Sequence, residues 1–293
     1  MSTPAVSNAV RVINKENPGS CFGAIILTAS HNPGGPTEDF GIKFNNLNGA
    51  PASENVTNKI FENSKKIATY NFIDFNNKFN IKENTTLTVE NSKFNIEIIS
   101  TTKLYVELMQ QIFDFPKIKT LFDRKDFKFH FDGLNGIAGP YATEIFHNIF
   151  GVAKENLHGC EVLPDFGGHH PDPNLVYAKD LVEVMDIFNK HPDKQVPDFG
   201  AACDGDADRN MITGSRFFVI PSDSLALITA NYKCIKYFSE GLSGVARSMP
   251  TSSALDRVAK KLNIPVKPSF NFALFIIYIS VLKLLLVGNS LLT

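Results

Sequence analysis

The chain alternates short apolar runs with amphipathic stretches. Cys21 to Thr28 is almost wholly apolar and reads as a buried strand. It ends in the turn-forming cluster Ala29-Ser30-His31-Asn32-Pro33-Gly34-Gly35. From Glu54 to Lys66 the spacing predicts a helix, with Ser53 as candidate N-cap and Val56, Ile60 and Phe61 as its apolar face. Asn76 to Thr102 is polar, rich in Asn and Lys, and is expected to be a linker with one short strand. Phe127 to Phe131 alternates apolar and polar positions, as a half-buried strand does. The loop Asp132 to Gly136 follows. A helix comes next, with Pro140 near its first position, Gly151 just past its end, and Tyr141, Ile145, Phe146, Ile149 and Phe150 on one face. Leu181, Met185 and Phe188 predict another helix over Tyr177 to Lys190, and Phe199 to Cys203 is a short strand running straight into Asp204.

A third unit begins near Phe218. Ser222 or Asp223 can cap a helix through Tyr232, Val245 to Arg247 reads as a strand, and Thr251 or Ser252 can cap a helix running to Leu262. The alternation of strands and helices argues for α/β layers with mainly parallel strands. Phe272 to Val287 is almost wholly apolar, with Lys283 as its one charge. These sixteen residues fall short of the roughly 20 that a spanning helix needs, and a mid-membrane Lys costs about 2.5–3.5 kcal/mol. The abrupt change of composition after Phe270 is read as a misread gene end in preference to a membrane anchor.

With 293 residues, 43% hydrophobic and 20% charged, the composition is that of a globular chain of about two domains and excludes a disordered, collagen-like or coiled-coil protein. The net charge of −1 gives no bulk attraction to nucleic acid or acidic membranes, so neither is expected as a partner. Cys21, Cys160, Cys203 and Cys234 form no C-x-x-C pair, which suits a reducing, cytoplasmic setting. The N-terminus has no secretory pattern.

Two segments carry candidate chemistry. The turn at Ser30 delivers a hydroxyl at the end of a strand, where ligands of α/β sheets bind. Ser30 could be a nucleophile with His31 or a nearby Lys managing protons, although Ser, His and Asn also simply suit a turn. Asp204, Asp206 and Asp208 alternate in Asp204-Gly205-Asp206-Ala207-Asp208-Arg209, so three carboxylates can converge on one hard cation. An EF-hand is rejected, because its sixth and twelfth positions would be Arg209 and Ser215 instead of Gly and Glu. A solvated acidic turn is the bland alternative. Arg209 beside such a metal would suit phosphate. His169 and His170 are adjacent, hence splayed, with no third ligand in register, and are read as part of a structured loop.

TASHNPGGPTEDFGIKFN (Thr28 to Asn45) resembles the active-serine signature of phosphoglucomutases in the α-D-phosphohexomutase superfamily. DFGGHHPDPNLVYAKDLVE (Asp165 to Glu183), DGDADRNM (Asp204 to Met211) and ARSMPTSSALDRVA (Ala246 to Ala259) resemble the eukaryotic-type members, in family order. The resemblance implies mixed α/β domains, with an incomplete first domain over 1–100, a second over 101–217, a partial third over 218–270, an apolar tail over 271–293, and no fourth domain.

The same resemblance implies roles. Ser30 would carry the phosphoryl group, and Asp204, Asp206 and Asp208 would bind Mg²⁺ together with an oxygen of phosphorylated Ser30. Lys43 would transfer protons, His31 would follow the active serine, and Arg209 would hold phosphate. The implied reaction interconverts glucose 1-phosphate and glucose 6-phosphate through a phosphoserine and glucose 1,6-bisphosphate. Ala207 stands where the family has Gly, which strains the turn if that position needs positive φ. The loops reading the sugar and the distal phosphate are not found, so weak or no activity is expected of this chain alone. The alternatives are a non-catalytic binding or scaffold protein that keeps a phosphorylatable Ser30, or a membrane-tethered variant.

Overall fold

The computed structural model describes residues 1–70, 86–88, 95–100 and 102–269; the apolar tail and most of the expected linker lie outside them. The first element is one the hydrophobic pattern did not announce. Ser2 caps helix α1 (Thr3–Glu16): its Oγ accepts from the Ala5 N–H at 3.2 Å, and a proline occupies the first turn. Helix α1 lies over one face of an antiparallel ribbon of β1 (Gly23–Leu27) and β2 (Ile42–Asn46). Asn45, fully buried, donates from Nδ2 to Ser7 Oγ at 2.9 Å and to the Gly49 carbonyl at 3.0 Å, tying the ribbon to the helix.

The expected buried strand is therefore buried on one side only. Ile26 faces α1, whereas Ile25, Leu27 and Ile42 on the other face are 62–70% exposed. Helix α2 (Glu54–Ser64) forms as predicted, but Ser53 makes no side-chain cap bond, no residue of the helix is buried, and Val56, Ile60 and Phe61 stay 37–59% exposed. The linker region holds a pair of strands where one was expected: β3 (Thr86–Thr88) runs antiparallel to β4 (Asn95–Glu97).

Helices α3 (Lys103–Ile112) and α4 (Phe115–Phe122) were likewise not predicted. They bury Met109, Ile112 and Phe115 against Phe150. Strand β5 (Phe129–Asp132) is buried at all four positions, so its alternation does not mark a solvent-facing side. One side meets α5 (Ala138–Ala142) and its continuation in wider, π-type turns over Thr143–Ile149. The other side meets α6 (Lys179–Val184). Gly151, at φ 79°, follows this helix as expected. Strands β6 (Leu157–His158), β7 (Phe199–Cys203), β8 (Asn210–Gly214) and β9 (Phe217–Val219) complete a five-stranded sheet in the order β6-β5-β7-β8-β9.

That sheet is mixed. Strands β6, β5 and β7 are parallel, but β7-β8 and β8-β9 are antiparallel. The connections on either side of β8 are hairpins, too short for the crossover that parallel pairing requires. Ala201 belongs to the cluster with Phe129, Phe131, Ala138 and Ala142, and Ala202 to the cluster with Leu181, Met185 and Met211. Gly200 permits the close approach of α6, since a Cβ there would stand 2.8 Å from Met185 Sδ.

Helix α6 is shorter than the predicted span. Left-handed Asp186 (φ 46°) and Asn189 (φ 51°) end the helical path, and Phe188 turns out to solvent at 58% exposure. In the last described unit, α7 (Pro221–Ala230) begins after Ile220, so Ser222 and Asp223 lie within its first turn and do not cap it. Strand β10 (Val245–Ser248) pairs in parallel with β11 (Val266–Ser269) around α8 (Ala254–Leu262). The α8 cap residue is Ser253, with Ser252 Oγ accepting from the Ala254 N–H at 3.1 Å. No helix among the described residues is long and apolar enough to cross a membrane.

Candidate phosphoryl-transfer site

Two hairpin loops meet. The first, joining β7 to β8, holds the three aspartates. Asp204 is fully buried, and its Oδ1 accepts from the Asp208 and Arg209 N–H groups at 2.9 Å each, which folds the loop around it. Thr3, at the start of α1, donates from Oγ1 to Asp206 Oδ2 at 2.6 Å and from its N–H to the Asp206 carbonyl at 3.0 Å. Lys43 Nζ donates to Asp206 Oδ2 at 2.5 Å and to Asp208 Oδ2 at 2.9 Å. Each aspartate keeps one buried oxygen with no hydrogen-bond partner: Asp204 Oδ2, Asp206 Oδ1 and Asp208 Oδ1. Ligand atoms of the three lie within 4.8 Å of one another.

Buried carboxylate oxygens left without donors are costly, and three that converge are the donor set of a hard, oxygen-seeking cation. The residues therefore fit a metal ion. Three carboxylates this close repel one another. Burial, then repulsion from Asp206 and Asp208, pushes the Asp204 carboxyl up to about 8. Asp206 is also opposed by burial, but Lys43 and Thr3 hold it below the usual carboxylate range. Burial works against the Lys43 ammonium, yet Asp206 and Asp208 outweigh it and raise its pKa.

The second loop joins β1 to β2 and is closed by reciprocal backbone bonds between Thr28 and Gly41, 3.0 and 3.1 Å long. Ser30 sits in it at φ 62°, with its N–H donating to Thr28 Oγ1 at 2.8 Å. Its carbonyl lies so close to Gly205 that a Cβ there would collide with it. The hydroxyl-bearing residue is thus laid directly against the acidic loop. Lys43 reaches the same point from β2, because the register pairs it with Ile26 on the face that α1 covers.

His31 Nδ1 is buried and unpartnered. Burial, then Arg209, lowers the His31 pKa against the pull of Asp172 and Asp206. Arg209 Nε is also buried without a hydrogen bond, 3.9 Å from Asp208 Oδ1. Lys43, Asp204, Asp206 and Asp208 are thus in one cluster, Arg209 borders it, and Ser30 and His31 face it from the opposing loop. Ala207 adopts φ 59°, the left-handed conformation that its substitution for Gly put in question.

Among the described residues the three aspartates are the only group of acidic, His or Cys residues converging as metal ligands, and His169 and His170 take no part in one. His170 instead stacks on Tyr177 with ring centroids 4.0 Å apart. Sequence reasoning missed Thr3. Its signal was the Ser2-Thr3-Pro4 run, an N-cap followed by a first-turn proline.

Comparison with known proteins places the chain in a family. Residues 1–71 match the model of phosphoglucomutase/phosphomannomutase α/β/α domain I, and residues 103–216 match that of domain II. Phosphoglucomutase-1 of Paramecium tetraurelia is 53% identical over an alignment of 274 residues that covers 90% of this chain and 47% of that protein. The cytoplasmic phosphoglucomutase of Mesembryanthemum crystallinum is 52% identical over 267 residues, 90% of this chain and 46% of its own length. The open-form crystal structure of the Paramecium exocytosis-sensitive phosphoprotein pp63/parafusin, described as a phosphoglucomutase, superposes with a TM-score of 0.85 at 51% identity, covering 92% of this chain and 48% of that one. The chain spans about half the length of the curated relatives it matches.

Proposed function

Because the chain belongs to the phosphoglucomutase/phosphomannomutase family, whose two domain models together match more than half of it, we propose that it is the phosphoryl-transfer half of a phosphoglucomutase. Its substrates are hexose phosphates, with glucose 1-phosphate and glucose 6-phosphate interconverted through a phosphoserine and glucose 1,6-bisphosphate. The observation that carries this reading is the apposition of Ser30, through its carbonyl, to the loop whose three aspartates each hold a buried oxygen without a hydrogen bond.

Asp204 Oδ2, Asp206 Oδ1 and Asp208 Oδ1 are the atoms that would hold Mg²⁺, with an oxygen of phosphorylated Ser30 as a further ligand. When bound, the ion supplies the positive charge that lets a phosphoserine of about −1.5 to −2 charges sit beside three carboxylates.

In the transfer, the phosphorus–Oγ bond of phosphorylated Ser30 breaks as a bond forms from phosphorus to a hydroxyl of the hexose phosphate. The proton lost by that hydroxyl ends on Ser30 Oγ. Lys43 and His31, reaching the junction from β2 and from beside Ser30, are the groups that move it. Arg209 grips phosphate oxygens next to the aspartates. The bisphosphate then returns its other phosphoryl group to Ser30. Plant relatives carry cytoplasmic names, and the four free thiols of this chain suit the same compartment.

Radiolabelled glucose 1,6-bisphosphate tests the proposal. The purified chain is expected to take up label in the presence of Mg²⁺, and Ser30→Ala to take up none. Uptake that survives Ser30→Ala, or no uptake by the parent chain, would overturn the assignment of Ser30. Labelling without turnover in a coupled glucose 6-phosphate assay would favour a phosphorylatable binding protein over a mutase.

A further inference from the structure

We propose that Phe166 is a positioning residue that sets the Ser30 loop in register against the acidic loop, a role that rests on the phosphoryl-transfer reading above. Neither loop reaches the other by a hydrogen bond between residues 28–41 and 204–209 among those described. Beyond the Lys43 bridge from β2 to Asp206 and Asp208, the two loops meet by packing, and the Phe166 ring is what both pack on. A Cβ built at Gly205 would stand 2.9 Å from Phe166 Cζ, and one built at Gly34 would stand 2.9 Å from Phe166 Cε2. The two glycines leave the room that the ring fills.

The ring is itself fixed from a third direction. The Leu163 N–H donates to the Asn135 carbonyl at 3.1 Å, which anchors this segment to the loop after β5. That loop lies flat on the acidic loop. A Cβ at Gly136 would be 2.8 Å from Gly205 Cα, and the Ile137 N–H donates to the Gly205 carbonyl at 3.0 Å. Phe166 is held at φ 55°, and Gly167 and Gly168 continue the left-handed path at 68° and 76°. Asp165 Oδ1 accepts from the Gly167 N–H at 3.1 Å and steadies that turn. A bulky residue adopts positive φ only where its surroundings over-determine it, and such strain concentrates at functional sites.

Backbone hydrogen exchange tests the role without relying on activity. In Phe166→Ala, amides of residues 28–35 and 204–209 are expected to exchange about tenfold faster, while those of β5 and β7 are unchanged. Phe166→Leu, which keeps part of the volume, is expected to restore part of the protection. Gly34→Ala is expected to loosen the same two loops in the parent chain and to do so less in the Phe166→Ala background, where its Cβ no longer meets the ring and presses only on the Pro164 carbonyl, 3.0 Å away. Unchanged exchange in either loop, or a loss of protection spread evenly over the sheet, would overturn the proposal.

Bisphosphate labelling then separates the two ideas. The rate of Ser30 labelling in Phe166→Ala is expected to fall roughly tenfold to a hundredfold, with Mg²⁺ affinity within about threefold of the parent as befits a residue that touches no ligand. A labelling rate equal to the parent's would sink the positioning role. Absence of labelling in the parent would overturn the phosphoryl-transfer reading, while the exchange data would still decide whether Phe166 aligns the loops.

Discussion

The Ser30 loop and the acidic loop are both hairpin connections, yet they are held in opposite ways. The acidic loop hangs from β7 and β8, inside a sheet covered on both faces, and folds around its own Asp204 through two 2.9 Å bonds from the Asp208 and Arg209 N–H groups. The Ser30 loop hangs from a two-stranded ribbon whose outer face is open, and is longer. It takes its place from neighbours: Gly205, Phe166, and the Lys43 bridge at the ribbon's foot. A two-stranded ribbon is marginal alone, so one loop is a rigid seat and the other is a part that must be seated. That division would suit the proposed phosphoryl carrier, in which metal ligands would be pre-arranged while a phosphorylated Ser30 meets a changing substrate.

Core truncations should break the comparison most sharply. Leu181 is fully buried beneath β7, and Leu181→Ala is expected to cost about 2–5 kcal/mol. Ile25 is 70% exposed, so Ile25→Ala should change stability by no more than about 0.5 kcal/mol. Urea unfolding of both variants checks this. Equal losses would mean that the outer face of the ribbon is covered in solution.

The same contrast explains what the sequence made legible. Phe199 to Cys203 was readable as a strand delivering Asp204 because its residues are buried on both faces, and an apolar run bounded by turn formers reports that directly. Cys21 to Thr28 has the same look, but apolar content cannot say whether a second layer exists to cover it. Leu181 and Met185 kept helical spacing, so the predicted helix was real. Its end was not readable, because it is set by Asp186, whose carboxylate accepts from the Lys190 and His191 N–H groups and from Arg216. The aspartate triad and Ser30 were visible as local motifs. Phe166 lies within one of the quoted motifs, but its role, like that of Thr3, was not visible, since each reaches the site from about 40 to 200 residues away.

Gly205→Ala asks which loop yields. Its Cβ would run into the Ser30 carbonyl and the Phe166 ring, and overpacking of this kind costs about 1–3 kcal/mol. The seated loop should give way, so the labelling rate is expected to drop while Mg²⁺ affinity stays within a few-fold. A large loss of Mg²⁺ affinity with normal labelling would reverse the roles assigned to the two loops.

The acid side of the stability profile sharpens the account of the buried sheet. Asp186 is 4% exposed. Burial opposes its charge, but the His191 and Lys190 N–H groups and Arg216 outweigh it and hold the carboxyl below its ordinary value. A depressed folded pKa contributes stability that is present above the unfolded value, near 4, and lost as pH falls through the folded one. Thermal midpoints of the parent are therefore expected to drop below about pH 4, and Asp186→Asn to be less stable at neutral pH with a flatter acid limb. An acid limb as steep as the parent's would remove Asp186 as its source.

The smallest expected effect lies at Ala207, inside the rigid seat. Its φ of 59° is a conformation that costs a residue with a Cβ roughly 1–2 kcal/mol. Glycine would release that strain. Against the release stand the greater freedom of glycine in the unfolded chain, about 0.4–1 kcal/mol, and the loss of a methyl that packs, half-buried, on the Phe129–Phe131 cluster, worth less than about 0.8 kcal/mol. The terms nearly cancel, with strain slightly ahead, so Ala207→Gly is expected to raise stability by about 0.5 kcal/mol or less. Mg²⁺ affinity should hardly move, because Asp204 already fixes the loop through the neighbouring N–H groups. A loss above about 1 kcal/mol would mean that the methyl, and not the backbone turn, governs this position. A rise in Mg²⁺ affinity would mean that the seat is strained along the same coordinate that brings its three carboxylates together.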